Sequence, residues 1–155
     1  MNRVVITGIG IISCLGNNKK EVLASLLDSK SGLTLNPEYK ENGMRCHISG
    51  QVNPNLDVID RKMLRFMSET SAYAFLSTEE ALADSGLSIE DINNDTTGVI
   101  VGSGTGSSRE LKNVVDTARE KGIKRVGPYA VTRTMGNTTS AAISTFFQTK
   151  GVSFS

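Results

Sequence analysis

The sequence predicts a layered α/β domain with an at least partly parallel sheet, and three observations lead there. Two continuous β-branched runs, Val4-Val5-Ile6-Thr7 and Val99-Ile100-Val101, have the pattern of strands buried on both faces, as parallel strands beneath helices are. Stretches with helical apolar spacing separate and follow them. Fifteen glycines against three prolines favour tight turns between alternating strands and helices over Pro-rich linkers.

The elements follow in order. Val4 to Thr7, closed by Gly8-Ile9-Gly10, is the first strand. Asn17 or Asn18 caps a helix through Lys19 to Leu27, with Val22, Leu23, Leu26 and Leu27 on its buried side, and Ser31-Gly32 ends the unit. Met44 to Ile48 alternates as a half-exposed strand, with Val52 next on its apolar side, and Asn53-Pro54-Asn55 is a turn. One long helix is expected from about Arg61 to Ala83, striped by Met63, Phe66, Met67, Thr70 and Ala74 and stopped by Gly86. Thr97 to Gly102 is a fully buried strand running into the glycine-rich loop Gly102 to Gly106. A helix starts at Ser107 or Ser108 and reaches Glu120, Gly127-Pro128 breaks the chain, and Asn137 to Phe147 is helical again. Gly151 to Ser155 begins another strand, which needs a neighbour and a covering element, so part of the protein is expected beyond Ser155.

Composition removes several classes. A chain of 155 residues can bury one core. Net charge is +1 and charged residues make up 21%, unlike a disordered tail or a broadly cationic nucleic-acid binder. Without tryptophan there is little to build a base-stacking platform from. No apolar run approaches the roughly twenty residues that cross a bilayer. Two cysteines without CxxC spacing, Cys14 and Cys46, fit a reduced, cytoplasmic protein better than a disulfide framework.

Local motifs carry little chemistry. Gly8-Ile9-Gly10 follows a strand, but the third glycine of a dinucleotide loop is replaced by Ser13. The loop Gly102 to Gly106 lacks the Gly-Lys-Ser/Thr of a P-loop. Tight turns with close backbone approach are the better reading of both. His47, the single histidine, lies by alternation on the solvated face with Arg45 and Ser49, while Cys46 faces inward as a small hydrophobe. No triad or zinc site can be assembled from these residues. The cations are more informative: Arg61, Lys62 and Arg65 form one cluster, and Arg119, Lys121, Lys124 and Arg125 another that contains only Glu120 as an acid. Two local positive patches on a nearly neutral chain fit an acidic partner held at defined spots, or else a solvated face.

The segments Val4 to Gly10, Ile59-Asp60-Arg61-Lys62, Arg65-Phe66-Met67-Ser68, Ala72-Tyr73-Ala74-Phe75-Leu76, Gly102-Ser103-Gly104 and Val126-Gly127-Pro128-Tyr129 together resemble, in order and over the whole length, one family. It is the β-ketoacyl-acyl-carrier-protein synthases of type I, elongating condensing enzymes of fatty-acid synthesis in the thiolase superfamily. The resemblance implies a thiolase-like fold of two similar α/β halves in a homodimer, with residues 1–155 as an incomplete N-terminal half. It implies decarboxylative condensation of an acyl thioester with malonyl-acyl-carrier protein, and no cofactor or metal. The family's nucleophilic cysteine sits at a buried helix N-terminus, where the helix dipole favours thiolate. It would follow the last strand within a few residues, and the two catalytic histidines would lie in the second half. Cys14, Cys46 and His47 match none of them, so the chain alone is expected to be inactive.

Supporting positions do carry over by resemblance. Thr105 matches a position lining the acyl pocket, where the family often has glycine or isoleucine. Met135 matches a methionine near the pocket's far end, contributed across the dimer. Arg61, Lys62 and Arg65 match one docking cluster for acyl-carrier protein and its phosphopantetheine-linked acyl and malonyl groups. Lys121 and Lys124 match another. A noncatalytic carrier-protein-binding or dimerisation module of the same fold is the alternative. A lone half would expose the surface that packs on its twin and be marginally stable or aggregation-prone.

Overall fold

Residues 3–155 are described by a computed structural model. The elements run α1 (Lys19–Leu27), β1 (Leu33–Leu35), α2 (Pro37–Glu41), β2 (Ile48–Gly50), α3 (Arg61–Leu64), α4 (Glu69–Ser85), α5 (Ile89–Ile92), β3 (Val99–Ile100), α6 (Ser108–Lys121), α7 (Ala130–Thr134), α8 (Thr138–Phe146) and β4 (Ser153–Phe154). Single-turn 3₁₀ segments lie at Leu56–Val58 and Ile123–Arg125.

Capping residues decide where the principal helices begin, because each accepts from a first-turn amide that has no partner inside the helix. Asn18 accepts from the Glu21 amide, Ser68 from Ser71 and Ser107 from Glu110. Gly86, at φ 72°, closes α4 as the sequence predicts.

The core lies where α4 crosses α8. Ile59, Met67, Ala72, Phe75, Val99, Ala142, Ile143 and Phe147 form one buried cluster. Phe75 is its centre, with its ring 5.1 Å from that of Phe147 and 6.0 Å, edge-on, from that of Phe146. Small residues let the two helices approach closely, and their hydroxyls are satisfied in place. Ser71 is fully buried, and its Oγ lies 3.1 Å from both Ser68 Oγ and Thr139 Oγ1. The strands pair in two short ladders. β3 and β4 are parallel, with Val99 opposite Ser153 and Ile100 opposite Phe154. β1 and β2 are antiparallel, with Leu33 opposite Gly50 and Leu35 opposite Ile48.

Several expectations need correction. The long helix from Arg61 to Ala83 is two helices. Ser68 turns extended (φ −79°, ψ 170°) to cap α4, and Met67 drops into the core at the break. The apolar stripe runs across the interruption because α3 and α4 feed the same cluster: Met63 packs against it and Met67 belongs to it. Val4 to Thr7 pairs with no strand among the described residues, and Val4 and Ile6 are 95% and 84% exposed. In the strand from Thr97 to Gly102 only Val99 and Ile100 are paired, with Val99 buried and Ile100 81% exposed, so a single face is covered. On α1, Val22 and Ser25 face inward while Leu23, Leu26 and Leu27 are exposed, because the helix docks through Ser25, whose hydroxyl donates to the Leu15 carbonyl. Around β2 the faces are inverted: Met44, Cys46 and Ile48 are exposed, while His47 and Ser49 are partly covered. The pairing with β1, a strand missed in the sequence, sets that register.

The first residues described form a strap over α4. The Ile9 amide donates to Asp84 Oδ2 at 3.0 Å, and the Ile11 and Lys19 amides donate to the two oxygens of Glu80 at 2.9 and 2.8 Å. Lys19 Nζ pairs with Asp84. Between these bonds the backbone presses on the helix so closely that a Cβ on Gly8 would stand 2.1 Å from the Ala81 carbonyl oxygen, and one on Gly10 1.8 Å from that of Ser77. Neither position has room for a side chain, which accounts for the Gly-Ile-Gly motif without a phosphate.

Candidate functional site

The first basic cluster is placed by a helix start. Asp60 Oδ1 accepts the Lys62 amide at 2.7 Å, so Arg61 and Lys62 stand on the first turn of α3 and Arg65 on the residue that ends it. The second cluster is placed by a helix end. α6 stops at Gly122, whose φ of 85° suits glycine, and the chain turns through Ile123–Arg125. This leaves Lys121 and Lys124 exposed on either side of the turn.

A ring contact joins the two segments. Phe66, next to Arg65, meets Tyr129 edge-to-face at 4.8 Å and 73°. Three acids of α4 and α6 are engaged by other cations: Glu69 by Arg109 at 2.6 Å, Glu110 by Arg133 at 2.7 Å and Asp116 by Lys112 at 2.7 Å. Among the described residues, Arg61, Lys62, Arg65, Lys121 and Lys124 enter no ion pair. Beside the Arg109–Glu69 pair, burial and then the Glu69 charge raise the Tyr73 phenol above its ordinary pKa.

Phe66 also walls an apolar groove of about 390 Å³, with Thr132, Met135, Ala141, Ala142 and Phe146. Its floor is the small-residue face of α8, and Met135, which follows α7, stands on its rim, 46% exposed. Thr105 is not in this wall. It is exposed on the loop from Gly102 to Gly106, which is tied to the Met135 segment. A Cβ on Gly106 would lie 3.3 Å from Gly136 Cα, and Thr70 Oγ1 donates to the Gly106 carbonyl at 3.4 Å.

The cysteines lie elsewhere. Cys14 is partly covered, with its sulfur against Gly32 and Gly50, and Cys46 is exposed. Among the described residues no three acidic, histidine or cysteine side chains gather to hold a metal. No helix there is long and apolar enough to cross a membrane. The Phe66–Tyr129 contact and the Glu110–Arg133 pair were not legible from spacing, since their partners lie 63 and 23 residues apart without a local pattern.

The α4–α8 core, the parallel β3–β4 pair and the capped α6 define a thiolase-like ketosynthase fold. A beta-ketoacyl synthase from Burkholderia phymatum superposes with a TM-score of 0.84 at 28% identity, over 99% of this chain and 39% of that one. Residues 1–155 match the family described as beta-ketoacyl synthase, N-terminal domain, and the chain belongs to it. Over its full length it is 48% identical to the 3-oxoacyl-[acyl-carrier-protein] synthase 1 of Haemophilus influenzae and 50% identical to that of Escherichia coli K12. The chain spans 39% of the length of each of these relatives.

Proposed function

We propose that this chain is the N-terminal domain of a 3-oxoacyl-acyl-carrier-protein synthase that elongates fatty acids. The synthase joins an acyl thioester to the carbanion left when malonyl-carrier protein loses CO₂. The observation that carries the reading is a pair of basic clusters, free of ion pairs among the described residues and joined through Phe66 and Tyr129, with Phe66 also walling an apolar groove. The clusters suit an acidic carrier protein, and the groove suits the alkyl part of its cargo. In this reading the chain supplies docking surface and pocket wall to a cytoplasmic homodimer, Met135 reaches toward the partner's acyl chain, and Thr105 sets how far a chain can enter. In this reading neither Cys14 nor Cys46 is the nucleophile, and His47 is not a catalytic histidine. Metal and cofactor have no part in the proposed reaction.

Carrier-protein binding by the complete synthase should weaken as ionic strength rises, because exposed charges more than about 10 Å apart are screened at 0.1 M salt. Lys62→Glu and Lys124→Glu should each weaken it by about tenfold or more. Binding that is indifferent to salt and to both reversals would overturn the docking assignment. In the same enzyme Thr105→Trp should cut condensation of long acyl chains while short ones still react, and an unchanged chain-length profile would remove Thr105 from the pocket.

A further inference from the structure

Behind the second cluster lies a small cleft that the docking reading does not use. It is about 180 Å³, bounded by α6 on one side and by the 3₁₀ turn and α7 on the other; Val114, Val126 and Ala130 give it an apolar wall, and Glu110, Asn113, Thr117, Arg125, Tyr129 and Arg133 bring the polar groups. Two guanidiniums against one carboxylate leave it with a surplus positive charge. That carboxylate is already engaged: Glu110 is nearly buried, and its Oε1 accepts from Arg133 Nη2 at 2.7 Å. That pair is single-pointed rather than forked, because Arg133 Nε is buried without an acceptor. Among the described residues the side chains of Asn113, Thr117, Arg125 and Tyr129 have no hydrogen-bond or ion-pair partner at all. The cleft is therefore a concavity with spare donors and net positive charge, opening on the turn that carries Lys124.

We propose that this cleft is a socket for one carboxylate side chain of the acidic carrier protein, an assignment that rests on the docking role proposed above. The full fork of Arg125 matches a carboxylate in plane and spacing, with two parallel N–H···O bonds available. Asn113 and Thr117 add neutral donors, and the volume suits a single side chain. Lys121 and Lys124 contribute attraction without direction, since an ammonium is a point charge on a flexible stem. The socket adds the directional contact, and with it the register in which the partner sits.

The test uses the complete synthase and measures its affinity for carrier protein with and without the phosphopantetheine arm. Arg125→Ala should lower affinity about tenfold, the scale of one lost charge-assisted contact. Arg125→Lys should recover little of it, because charge without the fork does not rebuild the contact. Thr117→Val, a near-isosteric change, should give a smaller loss in the same direction, with the unfolding midpoint unchanged. The Arg125→Ala loss should be equal for the two forms of carrier protein. Full recovery by lysine would overturn the socket while leaving the docking surface intact. A loss seen only when the arm is present would overturn the carboxylate, because the socket would then take the arm's phosphate. If Arg125→Ala costs no affinity the socket is overturned, and if Lys124→Glu also has no effect the docking reading fails with it.

Discussion

The two ends of the described chain use apolar residues in opposite ways. Between Ile59 and Phe147 the large side chains close on one another around Phe75. Between Arg3 and Gly50 only Val22 is a buried hydrophobe; leucines on α1 and β1 face outward, and so do Val4, Ile6 and Ile9 of the strap. Yet the N-terminal part is not loose. It is held by directed polar contacts: the Ser25 hydroxyl on the Leu15 carbonyl, and three strap amides on two carboxylates of α4. One region is held by volume and the other by geometry, so they should fail under different insults.

The largest effect should come from emptying the core. Phe75→Ala should cost about 3–5 kcal/mol in denaturant unfolding, by loss of transfer energy and the cavity left behind. Leu27→Ala, on the exposed face of α1, should stay within about 0.5 kcal/mol in this chain. Equal losses at the two positions would erase the contrast.

Gly10→Ala comes next. The added carbon would overlap the Ser77 carbonyl oxygen, and backbone on both sides leaves little to yield. The strap should lift from α4, at a cost of about 1–3 kcal/mol for the overpacking. Hydrogen exchange should show the Ile9 and Ile11 amides losing protection while the α8 amides keep theirs.

The mildest insult is acid. Asp84 has its pKa lowered, first by its hydrogen bond from Lys19 and then by the Ile9 amide. A carboxyl depressed in the folded state contributes in full above its unfolded pKa, and the contribution is lost as pH falls through the folded value. The protection factor of the Ile9 amide should therefore drop below the usual carboxylate range. Asp84→Asn should remove that step while the neighbouring Glu80 contacts remain.

The same contrast explains what the sequence alone made legible. Asn18, Ser107 and Gly86 announced helix ends because a cap acts within a few residues of itself. The parallel character of the sheet was legible at Val99, where a β-branched run does meet a partner strand. Val4 to Thr7 has the same composition, but composition states what a segment does when paired and is silent on where the partner is. The split at Met67 was hidden because hydrophobic spacing reports burial rather than helical continuity. Ser68, a cap residue with a hydroxyl three positions before Ser71, was the local signal for it. At the candidate site, the clusters at Arg61–Arg65 and Lys121–Arg125 stood out as charge density. Their connection did not, because it runs through Phe66 and Tyr129, which become neighbours only on folding.

That ring contact has a mechanical consequence. An edge-to-face aromatic pair is worth about 0.5–1.5 kcal/mol beyond its buried area, enough to hold two surface segments in register. In the proposed role, a carrier protein touching one cluster meets the other as an intramolecular second contact, at an effective concentration set by the tether and not by the bulk. The two clusters then act as a two-handed grip of preset span. Loosening Phe66 or Tyr129 would weaken the grip without removing a single charge.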